Sequence, residues 1–263
     1  MTIVDSSIYR QKTFSLHDTE GQLKALHEDG FALIPSVICH DEVEKMIDAI
    51  KRLQPFGFDD LGVTDHFKCV FNRERIFLNI IDRPGIVDLA EASMGEQCHL
   101  LGESAWRSHP GHNGWGTHVD QLYMPIPEEY ALDPHVHWPI YICTAHYYLN
   151  DMTLDIAPTW VIPGSHRAGR GPNPGEETWN GRPLEPVLCR AGDVLFFRSE
   201  IWHSGSKNAT ADQVRYLLQV HYSHRMFAQK FSPFPWQFNP EILAIANERQ
   251  LKLLGKHVNS NYG

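Results

Sequence analysis

The sequence predicts a mainly β domain, a sandwich or barrel, preceded by a helical flank. Three observations carry that prediction. From about residue 97, short runs rich in β-branched and aromatic residues follow one another at 98–101, 141–149, 159–162, 194–197 and 216–222. Turn signals separate them, at Pro110-Gly111, Pro163-Gly164 and Ala191-Gly192-Asp193. Helical periodicity is confined to the stretches before residue 95 and after residue 239. Several short strands with regular turns are the pattern of an all-β sandwich or barrel.

The flank reads in order. Residues 18–53 predict helix, short strand, helix. In the second helix Asp41 is placed as N-cap, and Val43, Met46, Ile47, Ile50 and Leu53 recur on one face. Between the helices, Gly30 and the apolar run 31–34 read as a buried strand ended by Pro35. A further short helix covers 86–94, after Pro84-Gly85. The segment 166–186, rich in Gly, Pro, Arg and Asn, reads as a long loop, and a final helix covers 240–254. The division expected is one catalytic domain, 1–263. It has a helical flank at 1–95, a β core at 96–225 and a C-terminal extension at 226–263.

Composition narrows the function. Hydrophobic residues make up 42% of the 263 residues and charged residues 21%, values of a globular protein with a core. A net charge of -9 argues against a nucleic-acid surface, which needs a basic stripe. The five cysteines are scattered and form no C-x-x-C, so a disulfide framework or cysteine zinc site is not expected. No apolar run approaches the ~20 residues of a membrane span, and the opening residues lack a signal-peptide core. The expectation is a cytoplasmic globular protein with no membrane or nucleic-acid partner, a homo-oligomer being possible but not indicated.

One constellation carries chemistry. His118-Val119-Asp120 is an H-x-D, and on a strand residues i and i+2 share a face. An imidazole and a carboxylate would thus aim at one point. A second imidazole from a distant strand completes a two-His-one-carboxylate triad, which leaves three positions open on an octahedral iron. His203 is the candidate, after the apolar run 194–197. Twelve residues on stands Arg215, whose guanidinium fork matches a carboxylate. A chain with sixteen histidines produces an isolated H-x-D by accident. The joint pattern is far more specific than any part of it.

The other histidines read as less chemical. His135 and His137 lie in a proline-flanked loop. His109 and His112 flank a turn and are expected in solvent. His146, in an apolar run, reads as a hydrogen-bonded core residue. His221 and His224 do not share a face. Asp151 and Asp155 read as loop acids.

With these residues in view, the chain resembles the phytanoyl-CoA dioxygenase (PhyH-like) family. The resemblance lies in 161–167 (VIPGSHR), in Gly192-Asp193 with the run 194–197, and in Trp202-His203-Ser204-Gly205 with Asn208. It extends from about residue 20 to about 225, although the stretch 151–158 lacks the family's usual Glu-Asn-Gly. The resemblance implies a double-stranded β-helix, or jelly roll, of cupin-like type, with Fe(II), 2-oxoglutarate and O₂. It implies His118, Asp120 and His203 as iron ligands, Arg215 as the oxoglutarate clamp, Trp138 as an aromatic near the co-substrate, and His166 as structural. Because Asp120 supplies the carboxylate, halogenation is disfavoured.

The activity so expected is oxidation of an aliphatic C–H of a small apolar specialised metabolite, by hydroxylation, desaturation or rearrangement. Aromatics in two expected lids motivate the apolar substrate: Phe56, Phe58, Phe67, Phe71 and Phe77 in 56–80, and Tyr123, Met124, Tyr130 and Trp138 in 121–139. The alternatives are an acyl-CoA or amino-acid hydroxylase of the same family, a cupin-like metal enzyme without an oxo acid, and a jelly-roll binding protein without turnover.

Overall fold

The computed structural model describes residues 8–58, 63–122, 124–133, 135–231 and 237–257. Tyr123, Pro134 and the first seven residues lie outside them, as does the side chain of Phe58. Among the described residues no helix is long and apolar enough to cross a membrane.

The flank begins with α1 (Thr19–Glu28), β1 (Phe31–Ile34) and α2 (His40–Arg52). Asp18 caps α1 by accepting from the Gly21 N–H at 3.0 Å. Helix α2 buries Val43, Met46, Ala49 and Ile50, the face that the periodicity marks. Its N-cap is Cys39 and not Asp41. The Glu42 carboxylate reaches back to the Cys39 N–H at 3.3 Å, so the acid three residues on, and not the one beside the cap, closes the first turn. Strands β2 (Gly57–Phe58) and β3 (Thr64–Lys68) follow, then the short helices α3 (Arg75–Leu78) and α4 (Ile86–Met94). The first 95 residues therefore supply three strands as well as helices.

The later strands are β4 (His99–Ser108), β5 (Trp115–His118), β6 (Ile142–Tyr148), β7 (Thr159–Val161), β8 (Thr178–Trp179), β9 (Arg182–Pro183), β10 (Glu185–Pro186), β11 (Val194–Arg198), β12 (His203–Gly205) and β13 (Arg215–Ser223). They form a seven-stranded sheet, β1-β11-β6-β13-β4-β3-β2, and a four-stranded sheet, β10-β7-β12-β5. All pairings are antiparallel. This is the jelly roll that the sequence resemblance implies. β11 lies between β1 and β6, and all five of its residues are buried, since one face meets the helices and the other meets the smaller sheet.

The main core lies between the large sheet and the helices. It includes Leu26, Ile50, Phe67, Phe71, Phe77, Leu89, Phe196 and Tyr222. Each such aromatic contributes roughly 1.5–3 kcal/mol by leaving water. Phe67, Phe71 and Phe77, expected in a lid, thus belong to the core: β3 pairs with β4 and takes its neighbourhood into the sheet.

Two further expectations are corrected. The segment 166–186 is not a plain loop, because it holds the β8–β9 hairpin and β10. The Arg170 guanidinium forks onto Glu176 at 2.8 and 2.9 Å and stacks over Trp202, which orders the stretch. The expected final helix is two helices, α5 (Pro240–Ile245) and α6 (Glu248–Leu253). Asn247 starts the second, with its side chain accepting from the Gln250 N–H at 2.8 Å. That cap favours a new helix start over continuation.

The turn into β11 depends on Gly192. Its φ is +96°, and a Cβ there would sit 2.4 Å from the Ile38 carbonyl oxygen. Gly192→Ala should cost roughly 2–4 kcal/mol, from backbone strain plus a clash with main chain. Gly175 also has positive φ but faces open space, so Gly175→Ala should cost about 1 kcal/mol. Urea denaturation of both variants tests this, and equal losses would remove the clash from the account.

Candidate functional site

The smaller sheet creates the site. β12 pairs with β5 so that His203 lies opposite His118. The two rings are 4.4 Å apart between centroids. Asp120 lies just beyond the end of β5. Its N–H donates to the Ser199 carbonyl at 3.1 Å, which holds the carboxylate beside both imidazoles. His118 Nε2 is 3.9 Å and His203 Nε2 3.6 Å from Asp120 Oδ1. The potential ligand atoms of these three residues all lie within 4.8 Å of one another.

Each imidazole is oriented by a main-chain carbonyl. His118 Nδ1 donates to Gly116 O at 2.7 Å, and His203 Nδ1 donates to Ile201 O at 3.1 Å. Both rings are thereby fixed with Nδ1–H, and both Nε2 lone pairs face Asp120. Metal-bound histidines have this arrangement. Burial pushes the Asp120 carboxyl up, whereas a proton on a neighbouring imidazole, His203 first, pulls it down, and the balance lies below the usual carboxylate range. Burial lowers His203, opposed by Asp120. Cis donors in an octahedral shell lie roughly 3 Å apart, so a small inward movement accommodates one divalent ion.

A cavity of about 480 Å³ adjoins the three residues. Its walls include Trp106, His146, Thr159, Leu217 and Gln219, with Arg215 also in the lining. Arg215 Nε is shut off from solvent without a hydrogen-bond partner. Among the described residues no carboxylate pairs with it. A guanidinium so placed calls for an anion, because an unpaired buried charge is costly.

Trp138 is not brought to this cavity. It stands in the irregular stretch after residue 135, and its carbonyl accepts from Arg198 Nη1 at 3.4 Å. The histidines sort differently from the sequence expectation. His112 is buried in the cavity lining, 4% exposed, with Nδ1 2.8 Å from Thr64 Oγ1; it is not in solvent. His146 is hydrogen-bonded as expected, but it also lines the cavity. His221 is buried against Thr144, 2.9 Å away. His166 Nε2 donates to the His27 carbonyl at 3.1 Å, a contact with α1 and not with the cavity.

Sequence reasoning missed Gln219. Its Oε1 accepts from Trp106 Nε1 at 2.7 Å and Ser104 Oγ at 3.2 Å. Its Nε2 therefore donates to His146 Nε2 at 2.8 Å. Burial holds His146 well below the usual histidine range, so the ring is neutral and accepts that bond. The signal was available: Gln219 is the fourth residue after Arg215 on a strand, and so on the same face.

The chain matches the phytanoyl-CoA dioxygenase (PhyH) family over residues 26–216. It is 26% identical over 250 residues to "Dioxygenase af480" of Aspergillus fumigatus, covering 84% of this chain and 72% of the relative. It is 28% identical over 264 residues to "Dioxygenase FrzG" of a Cladobotryum species, covering 90% and 84%. Two solved structures share the fold. The α-ketoglutarate-dependent epimerase SnoN from nogalamycin biosynthesis aligns with TM-score 0.63 at 22% identity, over 78% of this chain and 82% of that one. HygX from Streptomyces hygroscopicus, with nickel and 2-oxoglutarate bound, aligns with TM-score 0.62 at 20% identity, over 80% and 88%.

Gln219→Leu should leave the partners in Trp106, Ser104 and His146 unpaired and cost about 2–4 kcal/mol in chemical denaturation. A loss below about 0.5 kcal/mol would mean that the network adds nothing to stability.

Proposed function

The chain belongs to the phytanoyl-CoA dioxygenase family of Fe(II)- and 2-oxoglutarate-dependent enzymes, and on that premise we propose that it oxidises an aliphatic C–H of a small specialised metabolite, with iron held by His118, Asp120 and His203. One observation carries this reading. Two Nε2 lone pairs and an ionised carboxylate converge at a cavity that also contains an unpaired guanidinium.

Iron with 2-oxoglutarate supplies O₂ activation, coupled to decarboxylation of the oxo acid to succinate and CO₂. For hydroxylation the balance is substrate, 2-oxoglutarate and O₂ in, and alcohol, succinate and CO₂ out. The chain's own residues do the rest. Gly116 O and Ile201 O keep the imidazoles as Nδ1–H tautomers, so Nε2 stays available. Asp120 would complete a set of three protein ligands with His118 and His203. Arg215 takes the distal carboxylate of the oxo acid by its fork, in a site where that charge pair is little screened.

The origin of SnoN in nogalamycin biosynthesis supports a specialised metabolite as substrate. The apolar character expected from the lids has less support, since Phe67, Phe71 and Phe77 are core residues. The inner face of the large sheet beside Asp120 offers His66 stacked on Trp106 at 3.8 Å, with Gln219 and His221. That wall suits an aromatic or polycyclic substrate. We also infer one catalytic domain for the whole chain, because one core cluster runs from Leu26 to Leu254. A cytoplasmic setting is supported by the five free cysteines.

Replacing His118, Asp120 or His203 by Ala should weaken Fe(II) binding by more than about 100-fold and abolish succinate release, with the β-rich circular dichroism retained. Calorimetry and a succinate assay check this; a variant with wild-type turnover would remove that residue from the ligand set. Arg215→Ala should weaken 2-oxoglutarate by roughly ten- to a hundred-fold while iron affinity changes little. Lys there should rescue in part, since it keeps the charge and loses the fork. Anaerobic titration of the iron–oxoglutarate absorption band measures both, and an unchanged affinity in Arg215→Ala would move the clamp elsewhere.

A further inference from the structure

The turn that joins β11 to β12 makes more connections than a connector needs. It runs from Arg198 to Trp202. The Ser199 carbonyl accepts from the N–H of Asp120 at 3.1 Å and of Gln121 at 3.4 Å. Ser199 Oγ donates to the Gln121 carbonyl at 3.2 Å. Two residues on, the Ile201 carbonyl fixes the His203 ring. The backbones of one proposed ligand and the ring of another are thus set by consecutive parts of one turn.

The same turn holds the segment 121–139, which leaves directly from Asp120. Among its described residues, the one regular element in that segment is a short 3-10 turn, Glu128–Tyr130. Its start is tied to Ser199. Its end is tied to Arg198, whose Nη2 donates to Pro139 O at 3.1 Å and Nη1 to Trp138 O at 3.4 Å. Arg198 is 3% exposed and pairs with Glu200 at 3.5 Å. The middle is tied elsewhere, to the stretch after Pro163-Gly164: Arg167 donates to Ala131 O at 3.0 Å and Asp133 O at 2.7 Å, and Gly169 O accepts from the Ile126 N–H. That stretch also anchors the turn, since Ser165 Oγ accepts from the Trp202 N–H at 2.8 Å.

We propose that Arg198 is a positioning residue that couples the 121–139 segment to the metal centre, acting through Ser199 on Asp120 and through the turn on His203. A guanidinium buried at the base of the turn, spending both Nη groups on the far end of the segment, makes the segment and the ligands one mechanical unit. Whatever displaces 121–139 then displaces the Asp120 backbone. The inference rests on the reading that Asp120 and His203 hold the metal.

The test uses Ni(II), a redox-inert stand-in for iron, with calorimetry, together with hydrogen exchange resolved to peptides. Arg198→Met should speed exchange across 121–140 by about tenfold or more. It should also weaken Ni(II) by about tenfold, the scale of a lost partner behind a metal ligand. Exchange in β13 should not change. Arg198→Lys should recover part of both effects, because an ammonium can serve one carbonyl and still face Glu200. Faster exchange with unchanged Ni(II) affinity overturns the coupling, and so does weaker Ni(II) with unchanged exchange. If Arg198→Met does not fold, Ser199→Ala removes only the tie to Gln121 and should weaken Ni(II) by several-fold; no change there overturns the proposal. Asp120→Ala separates the two readings. If it binds Ni(II) like the wild type, the ligand assignment fails; if it loses Ni(II) while Arg198→Met does not, only the coupling fails.

Discussion

The register of β12 on β5 is the constraint from which the site follows. Setting His203 opposite His118 puts two imidazoles on one face of a two-strand ladder, at the distance of directly opposed side chains. A slip of one residue would turn one ring to the other face, and no rearrangement of side chains could restore the pair. The register itself is held from outside the ladder. β12 also pairs with β7, where His203 meets Val161, and the Trp202 N–H is fixed on Ser165. The stretch from Pro163 to Arg167 thus serves the centre without touching it.

Around that register the polar groups are held by main chain. Gly116 O, Ile201 O and Ser199 O set His118, His203 and Asp120 in turn. Carbonyls of strands and tight turns move less than side chains, so the donor atoms lose little freedom when an ion binds. The geometry is present beforehand, and binding energy need not be used to create it. Arg215 differs. Nothing in the described residues neutralises it, so the cavity carries an unpaired cation that a dianionic oxo acid would satisfy. Its position on the first residue of β13 ties the guanidinium to the longest pairing in the sheet, β13 on β4.

Much of this was legible in the sequence. The β runs, the H-x-D, the distant His203 and Arg215 all follow from period-two reasoning and residue chemistry. What failed did so for identifiable reasons. The aromatics of 56–80 looked like lid residues because β3 is short and isolated in sequence; only its pairing with β4 shows that Phe67 faces the core. His112 looked exposed beside Pro110-Gly111, and its burial depends on Thr64, 48 residues away. Trp138 rests on family position alone; in the structure its carbonyl meets Arg198, and it is not among the residues lining the cavity. Arg198 and Ser199 carried no local signal, since their partners are brought to them only by the closed sheet.

The strand β13 explains why the sense of the pattern is harder to read than the pattern. Its alternation is plain: Arg215, Leu217, Gln219 and His221 on one face, Tyr216, Leu218, Val220 and Tyr222 on the other. The ordinary rule for an antiparallel sheet sends the polar set to water. Here the apolar set joins the core under the helices, and Arg215, Leu217 and Gln219 line the cavity. The inner face of the roll is polar where it lines the cavity, at His146, Arg215 and Gln219, and apolar beside it, at Leu195 and Phe197; the outer face is apolar because the helical flank covers it. β6 shows the same inversion, with Ala145 and Tyr147 in the helix-side core and His146 in the cavity. The flank is thus more than an N-terminal addition. By giving the outer apolar face somewhere to go, it lets the inner hydrophobic cluster stay small, with Leu195, Phe197 and Leu217 among its members, and leaves room beside it for imidazoles, a carboxylate and a guanidinium.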